Sequence, residues 1–180
     1  MQKHQKVYIL NYMTNRNTKS TALFLSQGAI IAAMYVALTL IFAPISYGAV
    51  QVRIAEALTI LPLFTPAAIP GLFIGCIIAN GIGGGILLDV VFGSLATLIG
   101  AAGGYLLRFN RWLVPIPTIV ANSIIIPFVL KYGYGIDLPL WMLMIYLAIG
   151  EIIGCYLLGE LLATGILKRK SLTDLFKNGK

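Results

Sequence analysis

The sequence contains few charged residues, and this scarcity is its most informative property. Only 11% of the 180 residues are charged, whereas 59% are hydrophobic. The thirteen cations lie almost entirely at the two ends of the chain and in short breaks between apolar runs. Because soluble domains carry about 25% charged residues, this composition argues against an ordinary soluble domain and indicates a polytopic membrane protein.

The sequence also lacks the residues that many enzymes and metal sites need. Its one histidine, His4, lies in the polar N-terminal segment, and its two cysteines, Cys76 and Cys155, are surrounded by apolar residues. We therefore predict no metal site, no cofactor and no disulfide. The glycine-rich segment 81–85 is not followed by Lys-Ser or Lys-Thr, so it is not a P-loop, and the chain alone is not expected to hydrolyse ATP.

The distribution of charge predicts three segments. They are a polar cytoplasmic tail at 1–20, a transmembrane domain at 21–170 and a basic cytoplasmic tail at 171–180. The formal net charge is +7. Because the cations flank the apolar runs, we attribute this charge to the positive-inside rule and predict no nucleic-acid partner.

The transmembrane domain is predicted to be all-α, with six transmembrane helices. Four apolar runs are long enough to span the hydrocarbon core, at about 22–43, 87–107, 112–130 and 140–167. Two shorter runs, 54–64 and 67–80, would form second and third helices that are short and broken by proline and glycine. Such helices are tolerated at membrane depth only against protein or a cavity.

An even number of spans keeps both basic termini in the cytoplasm and places Arg108 and Arg111 on the same side. Fusing the two short runs into one span would give five spans and would leave one basic terminus outside. We therefore predict a multi-pass protein of the cell membrane with both termini cytoplasmic.

Several polar residues lie in or beside the apolar runs, where a charge is costly without a partner or a ligand. They are Glu56, Asn80, Asp89, Asn122 and Glu151. In the arrangement with six spans, the rise of a helix places all of them towards the outer side of the membrane. We therefore predict that they line one outward-facing cavity.

Simpler explanations for single residues stay open. The simpler explanation of Glu56 is an ion pair with Arg53 at a spacing of three residues. That of Asp89 is a helix cap, and that of Asn122 is a helix–helix contact. Glu160 lies half a helical rotation out of phase with Glu151 and nearer the basic C-terminus, so we expect it outside the site.

The first apolar run carries alanines at a regular spacing. Ala29, Ala33 and Ala37 recur every four residues. Small residues at this spacing let another helix approach closely, although alanine is also common in any apolar helix.

Two parts of the sequence resemble the QueT transporter family. The first comprises residues 47–59 (YGAVQVRIAEALT), Leu61-Pro62 and residues 66–71 (PAAIPG), and the second comprises residues 75–80 (GCIIAN) and 88–98 (LDVVFGSLATL). The resemblance covers about residues 22–167 and is most specific over 52–97. The tail at 1–20 is not matched.

The resemblance implies a substrate-binding S component of an energy-coupling factor (ECF) transporter, folded as a bundle of six helices. It implies a queuosine precursor such as preQ1 as the substrate, and a shared transmembrane coupling subunit and two ATPase subunits as partners within the lipid membrane. Ala29, Ala33 and Ala37 match the alanine-rich face that docks on the coupling subunit, and the substrate is released when the S component topples.

The residue chemistry suits a deazaguanine. One carboxylate can accept its N1–H and exocyclic amine together, an asparagine amide can serve its carbonyl, and a second carboxylate can hold the aminomethyl cation of preQ1. Glu151 and Asp89 are the expected carboxylates, and Tyr47 or Tyr146 would stack on the bicycle. The predicted substrate-binding set is Glu56, Asn80, Asp89, Asn122, Glu151, Arg53 and Tyr47.

Two other functions are alternatives. A stand-alone facilitator for small molecules would work without ATP and without partner subunits. A membrane-embedded transferase would need an acidic metal cluster or a nucleophile beside a base, and neither pattern is visible in the sequence. We therefore predict that the chain is not an enzyme.

Overall fold

The computed structural model describes residues 2–46 and 52–169, with side chains from Ser20 onward except that of Ile45, and every regular element in these ranges is helical. The helices are α1 (Gln2–Ile41), α2 (Ala43–Ser46), a 3₁₀ helix (Ile54–Leu63), α3 (Ala68–Ile82), α4 (Leu87–Leu106), α5 (Ile116–Phe128), α6 (Leu140–Glu151) and α7 (Gly159–Lys168). A 3₁₀ turn (Arg111–Leu113) precedes α5, and π-helical segments continue α5 (Val129–Gly133) and join α6 to α7 (Ile152–Leu158). The predicted all-α class is confirmed.

Four helical segments are long and apolar enough to cross a membrane. They are Ser20–Ile41, Leu87–Leu106, Arg111–Gly133 and Leu140–Lys168, and two shorter apolar helices, Ile54–Leu63 and Ala68–Ile82, lie between the first and the second. Large hydrophobic side chains are exposed on the long segments, with Leu25 63% and Leu87 77% exposed. Side chains of this kind are stable in contact with lipid, so the chain is a multi-pass membrane protein.

Helix α1 begins well before the first candidate span. It starts at Gln2, so the segment predicted as a polar tail is helical over its described residues. The candidate span Ser20–Ile41 agrees within two residues with the run predicted at 22–43. The predicted tail at 171–180 lies outside the described residues.

The break between the two short helices is buried against α1. Pro62, near the end of the 3₁₀ helix, has no N–H to donate, and Pro66 follows before α3 begins. Thr65 donates a 2.7 Å hydrogen bond to Gln27 Oε1 and accepts one from the Ala67 N–H at 3.3 Å. The 3₁₀ helix itself is buried from Ala55 to Pro62. Protein therefore satisfies the irregular backbone, as a broken helix in a membrane requires.

Small residues bring the helices close together. A Cβ atom on Gly71 would lie 2.7 Å from the Gly28 carbonyl oxygen, so α1 and α3 meet at backbone contact. On the other side of the bundle, a Cβ atom on Gly100 would lie 2.6 Å from Thr118 Cα, so α4 and α5 are equally close. Helices in lipid gain no hydrophobic effect from contact with each other, so van der Waals packing at such close approach stabilises the bundle.

Candidate functional site

The predicted site residues that the structure describes are all buried. Their exposed fractions are Arg53 5%, Glu56 1%, Asn80 0%, Asp89 1%, Asn122 3% and Glu151 6%. Tyr47 lies outside the described residues. Buried polar groups in a membrane-spanning bundle are costly and mark functional sites by default, so we refer to these six residues as the polar cluster.

Glu56 of the 3₁₀ helix and Glu151 of α6 form the first half of the cluster. Oxygen atoms of the two carboxylates and the Cys155 sulfur all lie within 4.8 Å of one another. Asn122 Nδ2 and Cys155 Sγ each donate to a different oxygen of Glu151, both at 2.9 Å. The Tyr35 hydroxyl donates to Glu56 Oε1 at 2.5 Å. We call Glu56 and Glu151 the carboxylate pair.

Asp89 in the first turn of α4 organises the second half. Its Oδ2 atom lies 3.7 Å from Arg53 Nη2 and accepts a 3.2 Å hydrogen bond from the Tyr134 hydroxyl. Asn80 Nδ2 donates to the main-chain oxygen of Asp89 at 3.3 Å. Partial burial raises the pKa of the Tyr134 hydroxyl, and the Asp89 charge raises it further, so this hydroxyl stays protonated and donates at neutral pH.

Glycines allow the two halves to adjoin. A Cβ atom on Gly154 would lie 2.8 Å from the Arg53 carbonyl oxygen and 3.6 Å from Glu56 Cβ, so the π-helical segment after Glu151 packs directly on the start of the 3₁₀ helix. A Cβ atom on Gly93 would lie 3.0 Å from Asn80 Nδ2 and 3.3 Å from Asp89 Oδ1. Single π-helical turns within α-helices are frequent at functional sites.

Three acceptor oxygens of the cluster are buried without a hydrogen-bond partner in the described part of the chain. They are Glu56 Oε2, Asn80 Oδ1 and Asp89 Oδ1. A buried acceptor without a donor costs about 1–3 kcal/mol. Each of these three oxygens can therefore accept a hydrogen bond from a further N–H or O–H group.

The same group raises the question of a metal ion. Among the described residues, Glu56, Glu151 and Cys155 are the group of metal-ligating side chains close enough to hold one. Both Glu151 oxygens already accept hydrogen bonds, from Asn122 and Cys155. This favours binding of hydrogen-bond donors, an ammonium group included, over coordination of a metal ion.

The structure adds three residues that the sequence did not indicate. Tyr35, Cys155 and Tyr134 contact the cluster, but tyrosine and cysteine within or beside apolar runs give no charge signal and resemble packing residues. Glu160, expected outside the site, contacts Arg111 instead, with Oε2 at 2.8 Å from Nη2. The Glu160 side chain is 7% exposed, and its ion pair with Arg111 explains how a carboxylate can be buried there.

The simpler explanations can now be compared with the contacts. Asp89 lies in the first turn of α4, but no side chain caps the helix at its N-cap residue, Ile86. The main-chain N–H of Ile86 donates instead to the Tyr134 hydroxyl at 3.2 Å. Asn122 does make a helix–helix contact, and its partner is Glu151.

The predicted alanine face points away from the bundle. Ala29, Ala33 and Ala37 are all exposed, whereas Ile31 and Tyr35 on the same helix are buried. The stripe is therefore open to a partner helix.

An apolar groove of about 540 Å³ lies elsewhere, between α4 and the end of α5. It is lined by Leu88, Phe92, Leu95, Ile99, Ile124, Ile125, Phe128, Val129 and Tyr132. None of the predicted site residues lines it, and many of its side chains are among the exposed hydrophobics, so it is a lipid-facing groove.

Comparison with known proteins agrees with the resemblance. Residues 25–168 match the QueT transporter family. The Queuosine precursor transporter QueT of Lactococcus lactis subsp. cremoris (strain MG1363) is 40% identical over 86 residues, which are 47% of this chain and 50% of the relative, so the chain spans about half the length of that curated relative. No solved structure matches. Because the family match extends over most of the chain and includes the whole polar cluster, the protein belongs to the QueT transporter family.

Proposed function

We propose that this protein is the substrate-binding S component of an ECF importer and captures a queuosine precursor of the preQ1 type from outside the cell. The observation that carries the proposal is the polar cluster, with its three buried acceptor oxygens on Glu56, Asn80 and Asp89 and its close carboxylate pair. The substrate class is inferred from the name of the relative in Lactococcus lactis.

The chemistry of the cluster matches a ligand rich in donors. A deazaguanine presents N1–H and an exocyclic amine side by side, and preQ1 adds an ammonium group. Two carboxylates as close as Glu56 and Glu151 repel each other when both are ionised. A cation or a pair of donors placed between them relieves this repulsion, so we assign the ligand's cationic or donor edge to the carboxylate pair.

We further propose six membrane crossings with both termini cytoplasmic. Asp89 lies in the first turn of α4, which is about 30 Å long at 1.5 Å per residue, and Arg111 lies in the 3₁₀ turn that follows the other end of this helix. Arg108, Arg111, Lys168 and Arg169 collect at the Arg111 end, and the positive-inside rule makes this end cytoplasmic. The Asp89 end is then outside, which makes the cluster accessible to an external substrate.

The proposed partners are a coupling subunit and two ATPases. The exposed stripe of Ala29, Ala33 and Ala37 supplies a surface on which a partner helix can approach closely. The glycine-rich segment of the sequence does not form a P-loop pattern, so in this proposal the two ATPase subunits hydrolyse the ATP that drives import.

The test is direct binding to the purified chain. The solitary, folded protein should bind preQ1 at one site, seen by calorimetry and by native mass spectrometry. Uptake into cells should require ATP and the partner subunits. A folded chain that binds no queuosine precursor contradicts the proposed substrate, and uptake without ATPases would favour a stand-alone facilitator.

A further inference from the structure

At the proposed outer end of the bundle, three parts of the chain meet on one carboxylate oxygen. Arg53 precedes the 3₁₀ helix, Asp89 lies in the first turn of α4, and Tyr134 follows the π-helical segment Val129–Gly133. Arg53 Nη2 is 3.7 Å and the Tyr134 hydroxyl 3.2 Å from the same atom, Asp89 Oδ2. The carboxylate therefore joins the starts of two helices to the end of a third.

Tyr134 makes a second contact that holds the same region together. Its hydroxyl accepts the main-chain N–H of Ile86 at 3.2 Å, at the start of α4, where no side chain of α4 itself serves as a cap. An N–H at a helix start needs an acceptor from elsewhere. One hydroxyl thus satisfies the helix end and binds the Asp89 carboxylate.

These contacts border the carboxylate pair directly. Arg53 and Glu56 are joined by a 3.0 Å hydrogen bond between the Glu56 N–H and the Arg53 carbonyl oxygen. The same Arg53 carbonyl packs against Gly154, in the segment that carries Cys155. Arg53 and Asp89 are almost completely buried, whereas Tyr134 is 40% exposed. The exposed tyrosine therefore lies at the outer boundary of a buried polar site.

We propose that Tyr134, Asp89 and Arg53 form an outer latch, which closes the polar cluster and must open when a ligand enters or leaves. The inference rests on the proposed outward-facing site. Within the latch, Tyr134 is a positioning residue, because it acts through Asp89 and the start of α4. Its hydrogen bonds are the contacts at the water-exposed edge, so they are the first that opening would break.

The latch can be tested without any ligand through Cys155. This thiol is 0% exposed and contacts Glu151. The sequence has two cysteines, so Cys76→Ala leaves Cys155 as the only thiol. A small, membrane-impermeant methanethiosulfonate reagent is added to the outer side of proteoliposomes. Tyr134→Phe removes the hydroxyl's hydrogen bonds to both Asp89 and Ile86, so it should raise the rate of Cys155 modification by at least about three- to tenfold, the factor that corresponds to one net hydrogen bond.

The matched control is Tyr132→Phe. Tyr132 is 72% exposed, and its ring stacks on that of Phe128 with the ring centroids 6.4 Å apart. The substitution therefore removes a nearby hydroxyl that is outside the latch. This variant should leave the Cys155 rate unchanged. Asp89→Asn is the second latch variant and should also raise the rate. Equal rates in Tyr132→Phe, Tyr134→Phe and Asp89→Asn, or no modification in any of them, would overturn the latch.

Ligand exchange gives an independent readout. A latch that closes the site both with and without ligand slows association and dissociation of preQ1 equally and leaves the dissociation constant unchanged. Tyr134→Phe should therefore raise the association and dissociation rates of preQ1 by a similar factor. A purely structural role for Tyr134 would lower thermal stability and leave the two rates unchanged. If Cys155 responds but the wild type binds no preQ1, the proposed function fails and the latch stands. If the wild type binds preQ1 and Tyr134→Phe exchanges it at the wild-type rates, the latch fails and the function stands.

Discussion

Asn122 donates a 2.9 Å hydrogen bond from its side-chain amide to Glu151 Oε1 and so joins α5 to α6 inside the bundle. Both residues are buried. The bond fixes one oxygen of a carboxylate that lies beside Glu56. The orientation of Glu151 is therefore set by protein donors before any ligand arrives, which reduces the ordering that binding requires.

Removing this amide should destabilise the protein. Asn122→Ala leaves Glu151 Oε1 buried without its donor, so we expect a loss of about 1–3 kcal/mol, seen as a lower midpoint of thermal unfolding in a fixed detergent. Ser123→Ala is the control, since the Ser123 hydroxyl has no hydrogen-bond partner among the described residues. Equal midpoints for the two variants would show that the Asn122 amide contributes nothing.

The Arg111–Glu160 pair should stabilise the opposite end of the bundle. Glu160 Oε2 lies 2.8 Å from Arg111 Nη2 and also accepts from Arg111 Nε at 2.9 Å, and Nη2 donates to Thr164 at 3.1 Å. A double-mutant cycle with Arg111→Gln and Glu160→Gln should give a coupling energy of about 0.5–3 kcal/mol. Because Arg111 is partly exposed, solvent screens the pair, and the coupling energy should be smaller than that of a fully buried pair. Additive single effects would contradict the pairing.

The exposed alanine stripe predicts a separation of docking from binding. Ala33→Trp places a large ring on the surface offered to the coupling subunit, so co-purification of the complex and uptake should fall. Binding of preQ1 by the solitary chain should stay at the wild-type level, because Ala33 is exposed and lies outside the polar cluster. Ile99→Trp, at an exposed position on α4, is the control for bulk in the lipid. Intact uptake in Ala33→Trp would exclude this docking face.

The proposed topology predicts a sidedness of labelling. Single cysteines at Lys3, Asn110 and Asn178 should react only with reagent on the cytoplasmic side. A cysteine at Gly135, in the turn that precedes α6, should react only from outside. Outside labelling of Asn110 would invert the bundle and remove external access to the cluster.

Much of the fold was predictable because the length of each apolar run can be read directly from the sequence. The six apolar segments, including the two short ones around Pro62 and Pro66, appear close to their predicted limits. Glu56 and Glu151 were recognisable because a carboxylate in an apolar run is costly and conspicuous. Tyr35 and Cys155 were not, because their hydroxyl and thiol become informative only once Glu56 and Glu151 are seen beside them.

Pairing was the part that the sequence could not supply. The i,i+3 spacing left a pair of Arg53 with Glu56 open as an alternative, and the structure places Arg53 Nη2 3.7 Å from Asp89 Oδ2, which is far along the chain. Arg53 directly precedes the 3₁₀ helix Ile54–Leu63, and its carbonyl oxygen packs against Gly154 in the π-helical segment Ile152–Leu158. Such shifts in hydrogen-bond register arise from tertiary packing, and hydrophobic periodicity does not encode them.

The most direct test of the proposed site is the affinity for preQ1 of Glu151→Gln, compared with Glu160→Gln, by calorimetry on folded protein. Loss of a buried carboxylate that binds a charged group should cost about 2–5 kcal/mol, a fall in affinity of about thirtyfold or more. Glu160 contacts Arg111 at the other end of the bundle, so Glu160→Gln should bind as the wild type does. Wild-type affinity in Glu151→Gln, or a larger loss in Glu160→Gln, would contradict the proposed binding site.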